Sequence, residues 1–322
     1  MPFPIIDVHS HMLPLRVIKE YGMNIEQKGE LYNIYYENRV IGPITRGFFD
    51  HRARIEELRK LEIDIQVLSV THHLFLYKES PEKAHPLIRR QNEELSKICK
   101  EKGDKFICNG ALPLQDPKAS LQELDYIYSK LEMKGVEIGT NIAGKNLDSE
   151  ELFPVYERIQ QYDMPIFVHP NDVLGAERMR KYYLEIVMGT IAETSIAISS
   201  VIFGGVTEQF PKLKFIFCHG GGAIPYQIGR LKRAIEVREE LKGGKVSIER
   251  AFNNLYFDTV LFYPLSIKFL IDVAGKDRIV LGTDYPFNMG DWDIVKRIRD
   301  LSLDEKVKED VYYKNAKRIY KL

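Results

Sequence analysis

The 322-residue sequence has no excess of either charge, since 46 Lys and Arg are balanced by 46 Asp and Glu. The balance argues against a nucleic-acid partner, which needs a basic surface, and against an acidic disordered tail. Cysteine is sparse. Cys99, Cys108 and Cys218 show neither metal-type nor disulfide-framework spacing and read as reduced thiols, so a cytoplasmic protein is expected. The first residues lack a basic segment, a long apolar run and a cleavage site, which predicts no secretion signal. One apolar stretch, residues 186–206, approaches the length of a bilayer span, but Glu193, several Ser and Thr and the Gly204-Gly205 pair interrupt it. It reads as a buried helix with part of its length available to a subunit interface, and no membrane association is expected. Repeats, low-complexity tracts and linkers are missing too, so residues 1–322 are expected to form one domain.

What is present is an ordinary globular composition, 44% hydrophobic and 29% charged, enough for a substantial core. Short β-branched runs alternate with amphipathic stretches, the pattern of βα units and a parallel sheet. Strands are predicted at residues 5–9, 65–70, 106–112, 135–139, 166–169, 213–219, 255–259 and 278–283. Helices are predicted at 52–61, 86–102, 120–131, 151–162, 179–210, 224–241, 265–273 and in the C-terminal tail. Eight such units close most economically as an α/β (β/α)8 TIM-type barrel. The competing doubly wound sheet would carry a glycine-rich phosphate turn after its first strand; here that turn reads His-Ser-His-Met. Residues 13–50 are too long for an ordinary βα loop, and their aromatics (Tyr32, Tyr35, Tyr36, Phe48, Phe49) predict a small strand-bearing insertion over the barrel mouth.

The polar residues then fall into place. In IIDVHSHMLP, His9 and His11 are two apart, so both project to one face of a strand. His169 ends the fifth strand in IFVHP, His219 the sixth in FIFCHGGG, and Asp284 follows the eighth in VLGTDYPF. Sites in this fold gather at the C-terminal strand ends. Three imidazoles and a carboxylate with a position left open suit a catalytic divalent ion, which assigns His9, His11, His169 and Asp284 as ligands. Zinc is expected, with manganese as the alternative, and no organic cofactor. His219 is then the general acid or base; the alternative makes it a fifth ligand of a binuclear site. His72 and His73, after the second strand, read as loop residues or substrate contacts.

DVHSHMLP, FVHPND, CHGGGAIPYQIGR and LGTDYPF together resemble the amidohydrolase superfamily, and within it the decarboxylase branch typified by 2-amino-3-carboxymuconate-6-semialdehyde decarboxylase. The resemblance runs from about Asp50 to Phe287 and includes KGVEIGTNIAGKNLDSEELFPVY and AETSIAISSVIFGGVTEQFPKLK. It implies a mononuclear zinc on the same four residues and a His219 that activates the metal-bound water. It also implies substrate contacts at Phe287, at Arg39 and at Arg230, the last reaching a neighbouring active site in a homodimer. Departures are Asn171 and Ile186 where the branch has tryptophan, and Glu137 where it has glutamine, so substrate identity does not carry over. The implied activity is metal-dependent non-oxidative decarboxylation of a small unsaturated or aromatic acid. In it, His219 takes a proton from metal-bound water, a substrate carbon is saturated by hydroxide addition or protonation, and CO2 departs. A hydrolase or hydratase acting on a lactone, amide or enol acid is the alternative; a non-catalytic metal-binding protein is a third reading.

Overall fold

The computed structural model describes residues 3–241 and 246–322. Eight parallel strands succeed one another in chain order: β1 (Ile6–His11), β2 (Ile65–Ser69), β3 (Phe106–Ala111), β4 (Gly135–Gly139), β5 (Pro165–His169), β6 (Lys214–Phe217), β7 (Leu255–Asp258) and β8 (Ile279–Val280). The ring closes where the backbone after β8 meets β1: Val8 donates to the Leu281 carbonyl at 2.9 Å, Asp284 to His9 at 2.9 Å, and His11 to Tyr285 at 2.7 Å. This is the TIM-type barrel that the alternating pattern predicts. All eight predicted strands are found; β1 runs two residues further than expected, through His11.

Strands buried on both faces read as near-continuous apolar runs, and the two faces build two cores. Ile6, Val8, Val67, Ile107, Phe167, Ile216, Tyr256 and Val280 fill the barrel interior, joined from below by Ala316, Ile319 and Tyr320 of the last helix, Asn315–Tyr320. The larger core lies between the barrel and its surrounding helices. Strict alternation would put Val8 and His9 on opposite faces, yet the His9 ring meets the interior Phe167 ring at 4.9 Å. The pairing of β1 with β2 shifts register between Asp7 and Ser10. Bulges of this kind re-aim side chains at sites, and this one turns both histidines inward.

The insertion over residues 13–50 holds a short helix, Leu15–Glu20, and a three-stranded antiparallel sheet of Asn24–Lys28, Leu31–Tyr36 and Arg39–Ile44. An antiparallel bridge from Ile44 to Phe287 ties it to the loop after β8, over the barrel mouth.

Two expectations are corrected. Cys99 and Cys108 are joined as a disulfide, with Cα atoms 6.3 Å apart; only Cys218 is a free, buried thiol. The helix Pro81–Glu101 ends two residues after Cys99 and the chain doubles back into β3. That reversal sets the last helical turn beside the third strand residue, which a nine-residue spacing does not reveal. The bond also removes one support for the expected cytoplasmic location. The helix expected over 179–210 is broken: a π-turn at Glu185–Gly189 leads into Thr190–Phe203, and left-handed Gly205 (φ 72°) separates the short Val206–Gln209. Residues Glu185–Phe203 are long and apolar enough to cross a bilayer by length and composition. Ala197, Ile198, Val201 and Ile202 are nevertheless fully buried in the core, while Val187 and Met188 near its start are exposed.

Candidate metal centre

His9 and His11 reach the barrel mouth from β1, His169 from the end of β5, and Asp284 from the loop after β8. Their donor atoms all lie within 4.8 Å of one another. Each imidazole is oriented through its far nitrogen. His9 Nδ1 lies 2.5 Å from Asp258 Oδ2, His11 Nδ1 3.0 Å from the Val70 carbonyl, and His169 Nδ1 3.0 Å from the Pro170 carbonyl. These partners accept, so every Nδ1 donates and every Nε2 turns towards the common centre. There His9 Nε2 and His11 Nε2 are 3.2 Å apart, and Asp284 Oδ1 is 3.2 and 3.3 Å from them. Donors ~2 Å from a shared tetrahedral ion lie ~3.3 Å apart. His169 Nε2 and Asp284 Oδ1 are buried with no hydrogen-bond partner, a costly arrangement unless a cation fills it. The donor set therefore fits a divalent ion.

The electrostatics agree. Burial pushes the Asp284 carboxyl up, but His9, with His11 and His219 beside it, outweighs this and holds it well below the usual carboxylate range. Burial lowers His9 too, yet the Asp284 and Asp258 carboxylates more than reverse this and push it up to about 10. Without an ion, a proton takes its place on His9. Burial drives His11 and His169 down, and their neighbouring imidazoles add to the effect.

His219 stands beside the four, Nε2 3.6 Å from Asp284 Oδ2, outside their compact group but in a second one with His169 and Cys218. Its φ is positive (52°), as are those of Gly220, Gly221 and Gly222. Glycine is needed at Gly222 because a Cβ there would sit 2.6 Å from the Ile191 carbonyl. The turn is anchored by Gly220 N, which donates to Asp258 Oδ1 at 2.9 Å. Asp258 thus serves His9 with one oxygen and the His219 turn with the other. The sequence reading missed it, although its place at the end of β7 obeys the same strand-end rule. Asp7 was missed as well: it accepts from Gln66 Nε2 and Thr283 Oγ1, each at 2.6 Å, and clamps β1 to the segment leading to Asp284. Buried Arg54 completes the support, donating to Gln66, to the His11 carbonyl and to the Gly47 carbonyl.

A cavity of about 300 Å³ opens over the centre, bounded by His169, His219, Asp284, Leu261, Phe287 and Ile186 among others. Phe287 packs 5.3 Å from the His11 ring. A second cavity of about 250 Å³ adjoins it and reaches Arg39, Lys78 and Asn171. Arg39 is held by Glu79 at 2.9 Å. Asn171, where the resemblance has tryptophan, instead bonds Thr140 and Asn141. Glu137 is fully buried on β4, 3.7 Å from His11 Nδ1, and burial pushes its carboxyl well up. Arg230 is exposed on the helix Ile224–Val237 and lines neither cavity of its own chain.

Comparison with known proteins identifies the family. The chain is 32% identical to the 2-amino-3-carboxymuconate-6-semialdehyde decarboxylase of Dictyostelium discoideum, over 97% of this chain and 90% of that protein. It is 27% identical to the Caenorhabditis elegans protein of the same name, over 97% and 92%. The fold superposes on a 5-carboxyvanillate decarboxylase from Novosphingobium aromaticivorans, solved with manganese and 4-hydroxy-3-methoxy-5-nitrobenzoic acid, with a TM-score of 0.86, 23% identity and coverage of 99% and 96%. The amidohydrolase family profile matches residues 6–322, and the chain belongs to that family.

Proposed function

We propose that this protein is a metal-dependent decarboxylase that removes CO2, without oxidation, from an unsaturated or aromatic carboxylic acid. The observation that carries the reading is a complete ligand set with His219 free beside it, at the floor of a largely apolar cavity. His9, His11, His169 and Asp284 would hold the ion, zinc in our reading. When bound, a divalent ion orients the acid and offsets negative charge that develops during the reaction. His219 is the group that moves the proton: as the bond to the carboxylate breaks and CO2 leaves, the carbon left behind takes a proton through its imidazole. Burial lowers the basicity of His219, but Asp284 and Asp258 more than reverse this, so it can carry that proton near neutral pH. Ile186, Leu261 and Phe287 keep the cavity apolar, and Phe287 offers a face to a planar substrate.

The unit we propose is a homodimer. Arg230 is exposed and permanently charged, which suits it to grip a carboxylate of the neighbouring site. On the same helix Tyr226 is exposed, its ring 5.8 Å from that of exposed Phe269, an association surface in kind. Arg39 enters as a polar wall of the second cavity, already engaged by Glu79. Arg230→Ala should raise KM more than it lowers kcat, in a protein that light scattering sizes as a dimer; an active monomer overturns this part. Cytoplasmic location belongs to the same reading and is tested by cell fractionation.

The deciding experiment incubates ion-loaded protein with a panel of unsaturated and hydroxylated aromatic acids, following CO2 and acid together. Equal amounts of each support decarboxylation. Acid lost without CO2 makes the protein a hydratase or hydrolase.

A further inference from the structure

Two imidazoles beside the centre take no part in holding the ion or moving the proton. His72 and His73 open the turn His72–Leu74 after β2. The His72 ring lies flat over that of His169, centroids 4.5 Å apart at 15°. His73 lies 4.0 Å beyond it, and Phe287 is 5.9 and 6.1 Å from the pair. His73 Nδ1 is tied to Thr71 Oγ1 at 3.0 Å. His72 Nδ1 is buried and has no hydrogen-bond partner. Both rings border both cavities, so they stand on the partition between them.

An apolar side chain would serve as a wall at lower cost, because a buried polar atom without a partner is destabilising by about 1–3 kcal/mol. We infer that His72 and His73 read a hydroxyl or amino substituent of the substrate, at a carbon away from the leaving carboxylate. The inference rests on the site binding an unsaturated or aromatic acid, as proposed above. An imidazole offers one N–H and one lone pair, which match a group that both donates and accepts. A second carboxylate only accepts, and the cations near the partition are engaged: Arg39 by Glu79 at 2.9 Å and Lys78 by Asp172 at 2.7 Å.

Calorimetric titration of manganese-loaded protein with salicylate and with 2,3-, 2,4- and 2,5-dihydroxybenzoate moves a second hydroxyl around one ring. One isomer should bind about tenfold more tightly than salicylate, the gain of a well-made hydrogen bond. In a His72→Phe/His73→Val variant that ratio should fall to about one, with metal content and thermal unfolding measured in parallel. Should that variant fail to fold, His72→Gln, which retains a donor and an acceptor, should keep part of the gain while His73→Val loses part of it. Equal affinity for salicylate and all three isomers overturns the inference, as does a gain that survives the substitutions, or one seen only with 4-hydroxyisophthalate, which carries a second carboxylate. Because binding rather than turnover is read, a failed decarboxylation assay leaves this result standing. Failure of salicylate itself to bind removes the acid-binding reading together with the inference.

Discussion

At the scale of single residues, the centre shows how much a ligand depends on what lies behind it. His9 is aimed by Asp258, and Asp258 is itself fixed by Gly220 N and Val260 N. Replacing Asp258 with Asn weakens the acceptor that orients His9 and should lower ion affinity by about 10- to 100-fold, measured by competition with a chelating dye. His219 gives the opposite pattern. It lies next to the ligand group without belonging to it, so His219→Ala should retain the ion while the rate falls at least ~100-fold. Loss of the ion in that variant, by elemental assay, would make His219 a ligand. The residues at strand ends were legible because a strand's alternation and direction are local properties. Asp258 obeyed the same rule but attracted no notice in LYFDT, where no second metal-binding residue type lies nearby to mark it.

At the scale of elements, the eight strands were legible from their β-branched runs, and the helices around them from their apolar periodicity. Where the reading departed, a tertiary contact overruled a local pattern. The long apolar stretch reads as one helix, but it packs tightly only from about Glu193 onward, and its first turns widen into a π-turn at the cavity wall. The disulfide is a second case. Cys99 and Cys108 close a loop of nine residues between a helix end and β3, which the chain-entropy estimate makes worth about 2–3 kcal/mol. Reduction, or the Cys99→Ala/Cys108→Ala variant, should lower the unfolding free energy in urea by about that amount and leave ion content unchanged, since neither sulfur approaches the centre.

At the scale of the whole molecule, ion binding and folding are linked. The centre exists only when β1, β5 and the segment after β8 are assembled, so an ion binds the native state and stabilises it by mass action. Chelation should therefore lower Tm. The linkage has a sign in pH. In the ion-free protein the His9 proton persists up to about pH 10, and an ion must displace it. Affinity should thus weaken by about tenfold for each unit of pH below that value, with about one proton released per ion bound at neutral pH. Titration calorimetry in buffers of different ionisation enthalpy counts that proton; no proton release would show His9 already neutral. The Tm gain on adding the ion should shrink accordingly as pH falls.

By itself the sequence determined the strand runs, the order of the βα units and the position of His9, His11, His169, His219 and Asp284 at strand ends, because each of these follows from neighbours a few residues away. Only the tertiary structure decided that Asp258 meets His9 across 249 residues, that a register shift turns β1's histidines inward, and that two scattered cysteines touch. Those depend on how the ring closes and how the chain reverses between helix and strand, which no local pattern of apolar and polar residues encodes.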